Sequence, residues 1–199
     1  MKKDIILAGV GGQGILSIAN VIGEAAVKEN LYLKQAEVHG MSQRGGDVQS
    51  NLRISDTPVH SDLISLRGAD LIISMEPMEC LRYLPYLAKD GWVVTNTTPF
   101  INIPNYPSEK ELMDELEKIE NLVAFNMDEM AKKIGSPRSS NMILLGAASP
   151  FLDINPSALE EGVETLFKRK GDKIVELNIM AFREGRAATV DFLKERNIF

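Results

Sequence analysis

Two glycine-rich stretches hold the residue types on which binding or catalysis would rest. The first is Gly9-Val10-Gly11-Gly12-Gln13-Gly14. Glycines let a backbone turn tightly and approach an anion closely. The free N–H groups opening a following helix, together with the positive end of its dipole, then favour a phosphate. The same glycines have a plainer use, which is to let a strand and a helix pack closely. The second stretch is His39-Gly40-Met41-Ser42-Gln43-Arg44-Gly45-Gly46. The planar fork of Arg44 suits a phosphate or a carboxylate. His39 can donate a hydrogen bond or take a proton near neutral pH. Read structurally, the stretch is a polar surface turn with Arg44 in an exposed ion pair.

The elements that would position these stretches follow from periodicity. Residues 4–8 form a short continuous apolar run that ends in glycines, the pattern of a buried parallel strand. After Gly14 the period becomes helical, with Ile15, Ile18, Ala19, Ile22, Ala25 and Ala26 on one stripe that ends near Asn30. Residues 31–38 read as a second strand. Residues 47–54 alternate, with Val48, Leu52 and Ile54 on one side and Gln49, Asn51 and Arg53 on the other, which predicts an antiparallel, half-exposed strand. Val59-His60-Ser61 follows a turn at residues 55–58 and is expected to pair back as a short strand. Further strands are expected at 71–75, 92–96 and 122–125.

Helices are expected after Pro77, after a Ser108/Glu111 capping box and after Asn126. The last third is helical, with a buried helix from Asn141, a second opened by Asn155-Pro156 and a third capped by Asp172. The fold class is therefore α/β: a three-layer α/β/α sandwich with a mixed, mainly parallel, Rossmann-like sheet, residues 1–199 forming a single domain. Both glycine-rich stretches follow the carboxyl ends of strands, where open α/β sheets bind ligands.

A strand–glycine turn–helix order also fits a dinucleotide site, for which Glu37 stands near the position that holds a ribose. A free-standing NAD(P)-binding oxidoreductase is thus an alternative, and a nucleotide-sensing regulatory domain a third. The net charge of −6 and the lack of a basic tract argue against non-specific nucleic-acid binding. No run approaches the roughly 18 apolar residues of a membrane span, and no signal peptide is recognised at residues 1–9; a cytoplasmic protein is expected.

The one cysteine, Cys80, excludes an internal disulfide. One Cys and two His cannot build an iron–sulfur or a usual zinc site within the chain. Cys80 itself sits among Met78, Leu81 and Leu84 and reads as core. His60 reads as a surface residue and Arg138 as solvated. Glu76 is either a residue reaching the cleft or a helix-start carboxylate. Asn141 reads as a helix cap.

Gly11-Gly12-Gln13-Gly14-Ile15, followed by Ala36-Glu37-Val38-His39-Gly40-Met41-Ser42-Gln43-Arg44-Gly45-Gly46, resembles the gamma-type domain of the 2-oxoacid:ferredoxin oxidoreductases. Glu76-Pro77, Leu81-Arg82-Tyr83-Leu84, Thr95-Asn96 and the stretch from Asn141 to Ala147 match as well, so the resemblance spans nearly the whole chain. The second stretch is most similar to the small-subunit form of the indolepyruvate branch. The pyruvate and oxoglutarate branches usually carry another sequence before the Arg-Gly pair.

The resemblance implies a small subunit that completes an active site for coenzyme A-dependent oxidative decarboxylation of an arylpyruvate, with electrons passed to ferredoxin. Thiamine diphosphate and the iron–sulfur clusters would lie on a large partner subunit. This chain lacks cysteine clusters, and Gly46-Asp47-Val48 and Gly171-Asp172-Lys173 lack the paired asparagine of a thiamine site. Gly11, Gly12, Gln13, Gly14, Ser42, Arg44, Gly45 and Gly46 would face coenzyme A as co-substrate. His39 and Arg44 are the candidates for a catalytic role, and no metal ligand is expected.

Overall fold

The computed structural model describes residues 1–40 and 45–198, with His39 described by its backbone alone. Strand β1 (Lys2–Val10) stands inside a six-stranded sheet of order β2-β3-β1-β4-β5-β6, the others being β2 (Tyr32–His39), β3 (Asp47–Ser55), β4 (Ala69–Ser74), β5 (Leu87–Asn96) and β6 (Leu122–Phe125). β1, β4, β5 and β6 pair parallel; β3 pairs antiparallel with both β1 and β2. The sheet is therefore mixed and mainly parallel, as the periodicity predicts.

The link between β2 and β3 dictates the antiparallel step. A parallel return needs a crossover of a dozen or more residues, and residues 40–46 are too few. β3 thus folds straight back against β2 and lies between it and β1.

Because β1 is covered on both faces, its side chains are apolar on both. Ile5 and Leu7 join the core beneath helices α1 (Ile15–Lys28), α5 (Ser140–Ala148), α6 (Pro156–Phe167) and α7 (Asp172–Glu195). Met127 and Ala131 of α4 (Met127–Lys133) extend that core. Ile6 and Ala8 join a smaller core with Cys80 and Tyr83 of α2 (Pro77–Tyr83) and Leu116 of α3 (Glu109–Leu116). Each fully buried Leu, Ile or Phe contributes about 1.5–3 kcal/mol, so the face with four long helices holds most of the hydrophobic stabilisation. Among the described residues no helix is long and apolar enough to cross a membrane.

Several expectations need correction. β3 is not half-exposed: it is an interior strand, and its polar face is covered by the chain that follows it. Asn51, 3% exposed, accepts from the Ile64 N–H at 3.2 Å. Arg53 donates to the carbonyls of Ser61 and Leu63 and forks onto the Asp4 carboxylate at 2.7 and 3.0 Å. Residues 59–61 consequently form no strand. Their neighbourhood is organised by the Arg53 guanidinium, and His60 is exposed. Asp172 does not cap α7; it is the first helical residue, and the preceding Gly171 (φ 94°) makes the turn. Ser108 and Glu111 do form the capping box of α3.

Candidate functional site

The β2–β3–β1 arrangement brings the two glycine-rich stretches to one edge of the sheet. In register Val10 faces Asp47, and His39 faces Val48. The turns then bond directly. The Gly11 N–H donates to the Gly46 carbonyl at 2.8 Å, the Gly45 N–H to the Gly11 carbonyl at 3.4 Å, and the Gly40 N–H to the Asp47 carbonyl at 2.7 Å.

Gly12 and Gly14 adopt φ of 104° and 83°, the left-handed region that side chains avoid. Gly14 is the N-cap of α1, which among the described residues has no side-chain cap and no acidic residue in its first turn. No described carboxylate in that turn offsets the positive helix end. The packing reading accounts for two of the glycines: a β-carbon on Gly9 would meet Ile15 at 2.9 Å, and one on Gly14 the Asn141 amide at 2.5 Å. It does not account for Gly12, which is exposed with open space around it.

Gln13 is a brace. Its Oε1 accepts from the Val10 N–H at 2.7 Å, and its Nε2 donates to the Met75 carbonyl at 3.3 Å. The same carbonyl accepts from Asn96 Nδ2 at 3.3 Å, joining the first turn to the ends of β4 and β5. Asn141 is not a helix cap, since α5 begins at Ser140. Its Nδ2 donates to the Gly14 carbonyl at 3.3 Å and ties the buried helix to the turn.

A strap of residues 97–107 crosses the same edge. Glu76, fully buried, holds it. This carboxylate caps α2 through the Glu79 N–H at 2.8 Å and also accepts from the Phe100 N–H at 3.3 Å and from the Tyr106 hydroxyl. Of the two roles open to Glu76, the structural one applies. The strap delivers Asn102, whose Nδ2 donates to the Gly45 carbonyl at 2.7 Å, and exposes Phe100, Ile101 and Ile103. Nothing in the sequence singles out Asn102, which lies in an aperiodic stretch.

Below the turns lies a group of ionisable side chains that sequence reasoning also missed. Asp47 accepts from the Tyr83 hydroxyl at 2.8 and 3.1 Å and lies within hydrogen-bonding reach of Glu79. Burial pushes the Glu79 carboxyl up; the Arg82 ion pair opposes this, and the Asp47 charge reinforces it. Burial, and then the bond to Asp47, raises the Tyr83 phenol. Cys80 is fully buried, and burial pushes its thiol up to about 12, so at neutral pH it is no nucleophile.

Of the residues expected at the site, Gly11, Gly12, Gln13, Gly14, Gly45 and Gly46 come together. Ser42, Gln43, Arg44 and the His39 side chain lie outside the described residues. Glu37 is exposed on β2 and accepts from Gln35 Nε2 at 2.6 Å. Because β3 intervenes, β2 runs two strand spacings, about 10 Å, from β1. That is twice the separation in the plain β-α-β unit on which dinucleotide sites are built.

The model of the pyruvate ferredoxin/flavodoxin oxidoreductase family matches residues 4–188. The chain is 36% identical over 198 residues to the indolepyruvate oxidoreductase subunit IorB of Methanothermobacter thermautotrophicus, covering 96% of this chain and 100% of that one. Among solved structures it is similar to the keto/oxoacid ferredoxin oxidoreductase gamma subunit of Geobacter sulfurreducens (TM-score 0.70, 24% identity, 95% and 99% of the two chains). It is also similar to the 2-oxoglutarate:ferredoxin oxidoreductase of Magnetococcus marinus, whose structure has 2-oxoglutarate, coenzyme A and succinyl-CoA bound (TM-score 0.76, 23% identity). There it covers 96% of this chain and only 31% of the longer one. With the family model matching residues 4–188 and a relative 36% identical over 198 residues, the chain belongs to the pyruvate ferredoxin/flavodoxin oxidoreductase family, with subunits of the IorB type among its relatives.

Proposed function

We propose that the chain, 1–199, is the gamma-type small subunit of an arylpyruvate (indolepyruvate) 2-oxoacid:ferredoxin oxidoreductase, completing the active site for coenzyme A. The observation that carries this reading is the pairing of Gly11 with Gly45 and Gly46, which joins both glycine-rich stretches at the sheet's carboxyl edge beside an uncapped helix start. Backbone N–H groups in such a place suit the phosphates of coenzyme A. Arg44 follows as the cation for an anionic group of coenzyme A or substrate, with Ser42 and His39 as polar partners.

The overall reaction converts a 2-oxoacid and the coenzyme A thiol to acyl-coenzyme A, carbon dioxide and a proton. Two electrons leave for ferredoxin. The residues of this chain do not suit the redox and thiamine chemistry: its single cysteine is buried with a raised thiol pKa. We assign thiamine diphosphate and the iron–sulfur clusters to the large partner subunit, and the complex to the reducing cytoplasm. Phe100, Ile101 and Ile103, exposed beside the turns, are the kind of apolar side chains a subunit presents to its partner. The inserted β3 weighs against the NAD(P) alternative.

The test is anaerobic reconstitution with the large subunit, following indolepyruvate- and coenzyme A-dependent reduction of an artificial acceptor. Activity is expected only in the mixture. Arg44→Ala should raise the coenzyme A KM about tenfold to a hundredfold, the effect of losing a charged hydrogen-bonded contact. An inactive mixture, with NAD bound tightly by the chain alone, would overturn the proposal.

A further inference from the structure

Among the described residues, a hydrogen bond from Asn102 Nδ2 to the Gly45 carbonyl joins the strap to the turns. Gly45 has φ 77°, and its N–H closes the two-way exchange with Gly11. Among the described residues, Gly45 is held by hydrogen bonds from its N–H to the Gly11 carbonyl and to its carbonyl from Asn102.

Asn102 is itself well anchored. The residues on either side of it in the strap, Phe100 and Tyr106, both donate to the buried Glu76 carboxylate, which is also fixed by the start of α2. A continuous chain of hydrogen bonds and backbone therefore runs from Glu76 through the strap to Gly45 and on to Gly11. The Oδ1 of Asn102 is buried and accepts no hydrogen bond among the described residues. The amide orientation is thus fixed by a single bond, the one to Gly45. A side chain whose one hydrogen bond serves a glycine turn of the site is placed for positioning that turn.

We infer that Asn102 is a positioning residue for the coenzyme A site, holding the paired glycine turns in register from a strap anchored on Glu76. This rests on the function proposed above. Its effect passes through the backbone of Gly45 and Gly11. Removal should therefore weaken binding of the anionic co-substrate while leaving chemistry on bound substrate nearly intact.

Two variants and two readouts test it. Asn102→Ala removes the donor without adding charge; Asn102→Asp keeps the shape and cannot donate. In the reconstituted complex both should raise the coenzyme A KM about threefold to tenfold with kcat within about twofold, the effect of one lost neutral hydrogen bond. In the isolated chain, amide exchange at Gly11 and Gly45 should quicken in both variants, with the thermal midpoint little changed. Unchanged exchange at these glycines overturns the inference whatever the complex does. So does a fall in kcat at unchanged KM, or an effect of Asn102→Asp alone, which would be charge repulsion. A wild-type complex that turns over without needing coenzyme A overturns the functional reading instead, and the exchange result then decides whether Asn102 holds the turns.

Discussion

At the carboxyl edge of the sheet, Gly12 and Gly45 have positive φ, and among the described residues nothing but their own chain neighbours lies within 4 Å of the place a β-carbon would take. At the crossing of α5 and α7 the situation is reversed. Gly146 and Gly185 are ordinary helical residues, but a β-carbon on Gly146 would run into the Phe182 carbonyl, and one on Gly185 into the Ile143 carbonyl. The same residue type is required by torsion in one region and by space in the other. At the edge glycine supplies the torsions by which the two turns pair; at the crossing it lets two backbones come together. On the function proposed above the first serves binding and the second stability, so substitutions in the two regions should fail differently.

The largest effect is expected at the crossing. Gly185→Ala forces backbone against backbone, where no flexible side chain can yield. Overpacking commonly costs about 1–3 kcal/mol, and this site should reach or exceed the upper end. That is a large share of the roughly 5–15 kcal/mol that holds a typical domain folded. Urea unfolding would measure it. A loss below about 1 kcal/mol would mean that the helices can separate cheaply, and the contrast would weaken.

Gly14 combines both demands and sharpens the comparison. Its φ of 83° costs an alanine about 1–2 kcal/mol, and the new β-carbon meets the Asn141 amide. Gly14→Ala should destabilise by about 2 kcal/mol. In an Asn141→Ala background the penalty should shrink to the torsional part, about 1 kcal/mol. Equal penalties in both backgrounds would show that Asn141 plays no part in the constraint.

In both regions the local patterns are legible in the sequence and the long-range pairings are not, for a physical reason. The apolar run of β1, the stripe of α1, the all-round apolarity of α5 and the Ser108–Glu111 box are local patterns, written within a few residues. The antiparallel direction of β3 was legible from its alternation. Its position between β1 and β2 was not, because strand order is decided by non-local pairing. The residues that finish the site are non-local too. Asn141 reaches Gly14 across 127 positions and Asn102 reaches Gly45 across 57. Asn141 was misread as a cap because an asparagine ahead of a helix looks the same in sequence whether it bonds its own helix or a distant turn. The glycine-rich stretches themselves were visible because torsional needs are local.

The smallest effect concerns pH and is tied to the edge through the paired carboxyls Asp47 and Glu79, of which Glu79 is raised. Burial raises the folded-state pKa of Glu79 above its ordinary value. A group raised in this way contributes fully below its unfolded pKa and loses its contribution as pH rises through the folded value. Stability carried by Glu79 should therefore fall from about pH 4 towards neutrality. Glu79→Gln cannot ionise and can donate to Asp47. It gives up only an ion pair with Arg82, whose side chain is half-exposed, and such pairs contribute little. The variant should match wild type near pH 4 and become the more stable of the two as pH rises. Urea midpoints of the two proteins should coincide at the acid end and separate towards higher pH. Parallel curves would show that folding does not raise the Glu79 carboxyl, and would remove this pH effect at the edge while leaving the glycine contrast in place.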